Sequence, residues 1–265
     1  VAGRVIRAVE GARLEIDLEA GCRLASLQVK GHELLVTAGP NPIDWGAYPM
    51  APYAGRVRDG HFTFRGRGHH LPRTLGGHAI HGTAYLQAWH EDGDGTFVTP
   101  LGPAWPFPGW ARQQIRLAPD GIALRLEVHS AEGAMPASCG WHPWFLRRVG
   151  GAAAMLDFRP GFMLERDRDG ICTPRRRAPS AGPWDDCFGE VKGSPVVTWP
   201  GVLRLELESA CPYWVVFDRR EHALCVEPQT APPDALNHDP FIVEPGRPLA
   251  AELNIRWSLP TSVGG

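Results

Sequence analysis

The residues best suited to chemistry lie in a few short segments. Gly140-Trp141-His142-Pro143-Trp144-Phe145 holds one imidazole between two indoles and a phenyl, with Pro143 stiffening the backbone just after it. Indole faces suit the C–H face of a sugar as well as a core, and an imidazole changes charge near neutral pH. Cys225-Val226-Glu227-Pro228-Gln229-Thr230 places a carboxylate at the end of the apolar stretch 223–226. Desolvation there would raise its pKa towards that of a useful base. In His78-Ala79-Ile80-His81-Gly82, after Gly76-Gly77, two histidines stand at a spacing that can ligate a metal. The flanking glycines predict a loop, and a metal would need a third ligand. Arg56 follows Gly55, and Asp185 and Asp186 read locally as a turn. Plainer readings stand beside these: His142 as a core residue with a satisfied ring nitrogen, and Glu227 as a strand end in water.

The elements that must position these groups read as strands. Leu14, Ile16 and Leu18 alternate with acidic residues, and Ile122 to Val128, Leu203 to Leu207 and Leu253 to Trp257 repeat the pattern. Each predicts a strand with one face in a core and one in water. Tyr213 to Asp218 does not alternate and reads as a strand buried on both faces. No stretch carries a capped helical stripe, and Ala231 to Asn237 offers one short turn. Residues 165–194 are polar and proline-rich and read as a long loop. The expectation is an all-β protein, a large antiparallel β-sandwich of two packed sheets. No linker divides residues 1–265, so one domain is expected.

Composition excludes several function classes. With 27 basic and 29 acidic residues the net charge is −2. A near-neutral chain does not present the basic surface that nucleic acid or an anionic membrane selects. The 31 glycines and 26 prolines suit many turns rather than disorder. None of the six cysteines forms a Cys-x-x-Cys pair, so they read as buried thiols in a reducing compartment. No secretory signal and no apolar run near the ~20 residues of a membrane span is visible, so a cytoplasmic location is expected. Neither a P-loop nor a Gly-x-Ser-x-Gly elbow is present.

Taken in order, the segments resemble the aldose 1-epimerase (mutarotase) family. The resemblance runs from about Leu14 to Leu259 and rests on five blocks: Tyr53 to Phe64, His78 to Gly82, His142-Pro143-Trp144-Phe145, Asp185 to Phe188, and Glu227-Pro228-Gln229-Thr230. It implies the galactose mutarotase-like supersandwich, with a sugar in an open groove. By block, it implies that Glu227 is the general base and His142 the general acid. Arg56, His81 and Asp185 would orient the sugar, and Trp144 would line its site. Gly55 stands where the family usually has Asn, and Trp144 where it has Tyr, which bears on which sugar fits.

Such a set suits the interconversion of α and β anomers. Opening a hemiacetal requires the C1 hydroxyl to lose a proton while the ring oxygen gains one, so a carboxylate and a protonated imidazole on opposite sides of that bond would serve. No redox step or electrophilic metal is needed, so no cofactor and no metal are implied, and the expected partner is a free aldose. Three alternatives share these residues. One is a hexose-6-phosphate 1-epimerase using Arg65, Arg67 and Arg73, since arginine pairs with phosphate oxygens. Another is a non-catalytic carbohydrate-binding protein using Trp141 and Trp144. The third is a metal site of His81, His142 and Glu227.

Overall fold

Alternation in sequence becomes one-sided strands in space. The computed structural model describes residues 3–259. Strand Ala12–Asp17 buries Ala12, Leu14 and Ile16 and leaves its acidic residues half-buried. Gly121–Ser130, Leu203–Glu208 and Leu249–Ser258 follow the other alternating stretches. The described residues contain no α-helix, only three short 3₁₀ turns, one of them at Ala235–Asn237. None is long and apolar enough to cross a membrane.

The strands form two large antiparallel sheets. The first has 11 strands, in the order Arg4–Val9, Ala12–Asp17, Arg23–Val29, Ala47–Met50, Gly140–Leu146, Ala223–Gln229, Tyr213–Phe217, Asp185–Gly189, Phe162–Arg166 and Cys172–Arg177, with His32–Glu33 on the side of Arg23–Val29. The second has eight strands, with Gly109–Ala118, Gly121–Ser130, Leu249–Ser258 and Leu203–Glu208 at its centre. One apolar core joins them. Trp141, Phe145, Phe188, Trp214, Val216, Leu224 and Val226 of the first sheet share it with Leu124, Leu126, Leu205, Leu207, Leu253 and Ile255 of the second. Burial of such side chains is worth about 1.5–3 kcal/mol each, and this shared core fixes the sheet that carries the chemistry.

Residues of opposite parity on the same strands point away from that core. Tyr48, Met50, Trp144, Ala223 and Cys225 form a separate apolar cluster on the other face. His142 and Glu227 share the parity of Trp144 and Cys225, so the period of two places them on that face as well.

Two segments differ from expectation. Tyr213–Phe217 is not buried on both faces: Trp214 and Val216 enter the core, while Tyr213, Val215 and Phe217 are half-buried. Its second face is apolar because it helps line a cavity. Residues 165–194 are not one loop. They include the end of Phe162–Arg166 and the strands Cys172–Arg177 and Asp185–Gly189, so Asp185 and Asp186 lie in a strand rather than a turn. Cys172–Arg177 is the last strand of its sheet and is largely exposed, which suits its Pro174 and three arginines: charge and proline on an edge prevent further strand pairing.

Candidate active site

Register brings the two proton-transfer candidates together. Strands Gly140–Leu146 and Ala223–Gln229 are antiparallel, with Gly140 opposite Gln229 and Trp144 opposite Cys225. His142 and Glu227 sit midway between those pairs. Directly opposed side chains on one face of a sheet meet, and His142 Nε2 lies 3.2 Å from Glu227 Oε1. Both are almost wholly buried. They border a cavity of about 650 Å³ that is also lined by Arg56, His81, Trp144, Arg166, Asp185 and Gln229. All six residues expected at the site from the sequence therefore converge on one cavity.

The imidazole is held in an aromatic stack. Tyr48 and Trp144 both lie near-parallel to His142, with ring centres 5.0 Å apart at 23° and 5.2 Å apart at 11°. Tyr48 is opposite His142 in the register of the next strand. Beyond Trp144 lies His222, nearly parallel at 6.3 Å. Trp144 therefore has two near-parallel aromatic neighbours and lines the cavity, and its Nε1 is buried without a hydrogen-bond partner. Trp141 points the opposite way into the core, where its Nε1 donates to Gln113 Oε1 at 2.8 Å. The two indoles of this segment accordingly do different work.

His81 meets His142 edge-on, with ring centres 5.1 Å apart. It is positioned by a left-handed backbone (φ 60°) and by its N–H, which donates to the Gly55 carbonyl at 2.9 Å. His78 does not join it. Its Nδ1 accepts a hydrogen bond from the Asp59 N–H at 3.0 Å, outside the cavity lining. Arg56 pairs with Ile80 in a small two-stranded sheet beside the site. Gly55 has φ 71°, and a Cβ there would lie 2.7 Å from Pro233. An Asn side chain at this position would therefore collide with the Pro233 ring in this chain.

Electrostatics favours a single proton shared by the pair. Burial pushes the Glu227 carboxyl well above its usual range, and nearby Asp185 pushes it further; a hydrogen bond from Gln229 and the Arg56 charge act in the opposite direction. Burial lowers His142 to about 3 and holds His81 well below its ordinary value. Low polarity disfavours charge on either member, which favours one proton held between the two groups over an imidazolium–carboxylate ion pair. The sequence-based expectation of an imidazolium and a carboxylate on opposite sides of the bond becomes a pair in direct contact. A hemiacetal opening of the expected kind is compatible with this contact, because its two oxygens are bonded to the same carbon.

Four contributing residues carried no assignment from the sequence. Gln229 Nε2 donates to Glu227 Oε2 at 3.3 Å, and its own Oε1 is buried without a partner. Arg166 Nη1 lies 3.2 Å from Asp185 Oδ2 and also donates to the Asp185 carbonyl, fixing that carboxylate at the cavity wall. Buried Asp234 donates from its N–H to the Arg56 carbonyl at 2.7 Å and accepts from the Arg58 N–H at 2.9 Å. Tyr48 is the fourth. Gln229 had a local signal, since its period-two spacing puts it on the face of Glu227. Arg166, Asp234 and Tyr48 are brought in by long-range pairing. The arginines considered as phosphate ligands, Arg65, Arg67 and Arg73, do not line the cavity, whereas Arg219 and Arg220 do.

A buried imidazole–carboxylate pair bordering a cavity, on one sheet of an antiparallel supersandwich, defines the class of protein as a β-supersandwich with a small-molecule-sized site. The aldose 1-epimerase family model matches residues 10–155. The chain belongs to that family. Its fold is shared with a galactose mutarotase-like protein from Clostridium acetobutylicum (TM-score 0.86, 16% identity, 97% of this chain and 95% of that one). It is also similar to an aldose epimerase homologue from C. elegans (0.81, 14%, 98% and 99%). A third similar structure is a galactose 1-epimerase from Lactobacillus acidophilus NCFM (0.79, 14%, 97% and 94%). No curated protein sequence matches the chain significantly.

Proposed function

We propose that this protein interconverts the α and β anomers of a free aldose by acid–base opening and closing of the ring. The observation that carries the proposal is the 3.2 Å contact between His142 Nε2 and Glu227 Oε1 at the cavity floor. A sugar whose C1 faces this pair presents its C1 hydroxyl and ring oxygen side by side. Glu227 takes the hydroxyl proton while His142 delivers the shared proton to the ring oxygen, and C1–O5 breaks to give the open aldehyde. Rotation about C1–C2 exchanges the faces of the carbonyl. Reversal of both transfers then closes the ring, with one proton on the pair before and after. The aromatic stack lets the imidazole carry charge transiently, because ring faces attract cations. Arg56 favours the carboxylate form of Glu227.

Arg56, His81 and Asp185, which line the cavity, act here as sugar-orienting groups. Orientation weighs as much as proton transfer, since a ~1 Å misplacement costs about 10²-fold. No step calls on a cofactor. Polarimetry or NMR exchange spectroscopy over a panel of freshly dissolved aldoses tests the proposal: anomer exchange above the buffer rate is expected for at least one sugar, and none for any sugar would refute it. A hexose 6-phosphate substrate is a second reading, favoured by Arg219 and Arg220 at the cavity lining. Comparing glucose with glucose 6-phosphate decides between them.

A further inference from the structure

We propose that His142, Cys225 and Glu227 form a binding site for a zinc-class divalent cation, and that a cation held there competes with the sugar. The effect on turnover rests on the proposed function above; the binding itself does not.

One ligand atom from each residue lies within 4.8 Å of the other two. The imidazole–carboxylate edge of this triangle is already 3.2 Å. Zn–S bonds of about 2.3 Å and Zn–N bonds of about 2.0–2.1 Å place neighbouring tetrahedral ligands about 3.3–3.6 Å apart. Closing the triangle therefore requires side-chain shifts on the order of 1 Å. Among the described residues this is the cluster that meets the geometry; the combination of His81 with His142 and Glu227 considered from the sequence does not.

The ligand chemistry selects the metal class. A thiolate, an imidazole and a carboxylate form a mixed S, N, O set, which suits zinc and excludes magnesium and calcium, whose ligands are oxygens. Thiolate plus carboxylate balance a dication, and the imidazole ligates in its neutral form. Burial favours neutral His142 but raises the Cys225 thiol and the Glu227 carboxyl well above their ordinary values, so a cation binds by displacing their protons. His142 and Glu227 line the cavity, and Cys225 is buried on the same face of the sheet outside that lining. Cys225 has no part in proton transfer, yet it lies two residues from Glu227 on the same face and is buried with Tyr48 and Trp144. A cation seated here takes up the lone pairs that the reaction needs.

The test uses the full chain, stripped with chelator and titrated with Co²⁺ as a spectroscopic probe. A thiolate-to-cobalt charge-transfer band is expected in the wild type, lost on addition of one equivalent of Zn²⁺ and missing in Cys225→Ser and Cys225→Ala. Removing even outer partners of a metal ligand costs about 10–100-fold in affinity, so loss of the thiolate should weaken Zn²⁺ by more than about 100-fold. In the wild type Zn²⁺ should raise the apparent KM for sugar; in either variant that effect should vanish, with metal-free turnover retained. No band in the wild type, or an equal band in both variants, overturns the site. A band that depends on Cys225 in a protein without anomer exchange supports the cation site and overturns the proposed activity instead.

Discussion

Replacing Glu227 with Gln separates the chemical role of this carboxylate from its cost to the fold. The side chain is 1% exposed and touches His142 and Gln229. Gln has the same shape as a protonated Glu, so the amide can donate to His142 and accept from Gln229 as the neutral carboxyl does. It cannot take a proton from a C1 hydroxyl. A positioned acid or base contributes about 10²–10⁴-fold, so anomer exchange should fall by that factor, or about 3–5 kcal/mol of transition-state stabilisation. Stability should change in the opposite direction. The folded state raises the Glu227 pKa above its unfolded value. Its contribution to stability is therefore fully present below about pH 4.3 and is lost as pH rises through the folded value. Each unit of that shift is worth about 1.4 kcal/mol, and Gln removes the loss.

The assay is polarimetric exchange paired with thermal melts of wild type and Glu227→Gln at several pH values. The melting temperatures should agree near pH 4 and diverge as pH rises, the variant being higher by about 2–4 °C per kcal/mol. Exchange within a few-fold of wild type would remove Glu227 from the proton-transfer step. A variant that melts lower than wild type at pH 8 would refute the argument from burial, whatever its activity.

Other perturbations read other parts of the site. His142→Phe keeps the stack with Tyr48 and Trp144 and should lower exchange by about 10²–10⁴-fold. Because burial depresses His142 to about 3, its contribution is present above about pH 6.5 and lost as pH falls, so wild-type melting temperature should drop more steeply than the variant's between pH 6.5 and 3.5. Arg166→Ala releases Asp185 and should raise KM by about tenfold or more, as expected for a lost charged hydrogen bond, with a smaller effect on kcat. Gly55→Asn should destabilise by about 1–3 kcal/mol through its contact with Pro233, and Pro233→Gly should restore part of that loss in a double variant read by chemical denaturation.

What the sequence made legible follows the physics of locality. Alternating strands such as Gly121–Ser130 were readable because a period of two is a local property of half-buried sheets. The residue types of the proposed acid–base pair were visible at His142 and Glu227, and the order of the blocks pointed to the family. Their 3.2 Å contact was not readable, because it depends on the register of two strands that lie some eighty positions apart in the chain. The segment around Asp185 was misread as loop for a related reason. Its strand borders the cavity and its neighbours lie near a sheet edge, so polar side chains there satisfy pairing and function instead of a core.

The Trp141–Trp144 segment shows how the two levels meet. Composition could only say that two indoles flank a histidine, and either could have lined a sugar site. Pleating decides: an odd separation of three residues sends them to opposite faces, one to the inter-sheet core and a hydrogen bond with Gln113, the other to the stack against His142. The same pleat puts Tyr48, His142 and Glu227 in one row across three strands. The core beneath that row holds two mutually neutralising groups in contact in an apolar setting, and the proposed anomer exchange rests on that contact supplying one proton to the two oxygens of a hemiacetal carbon.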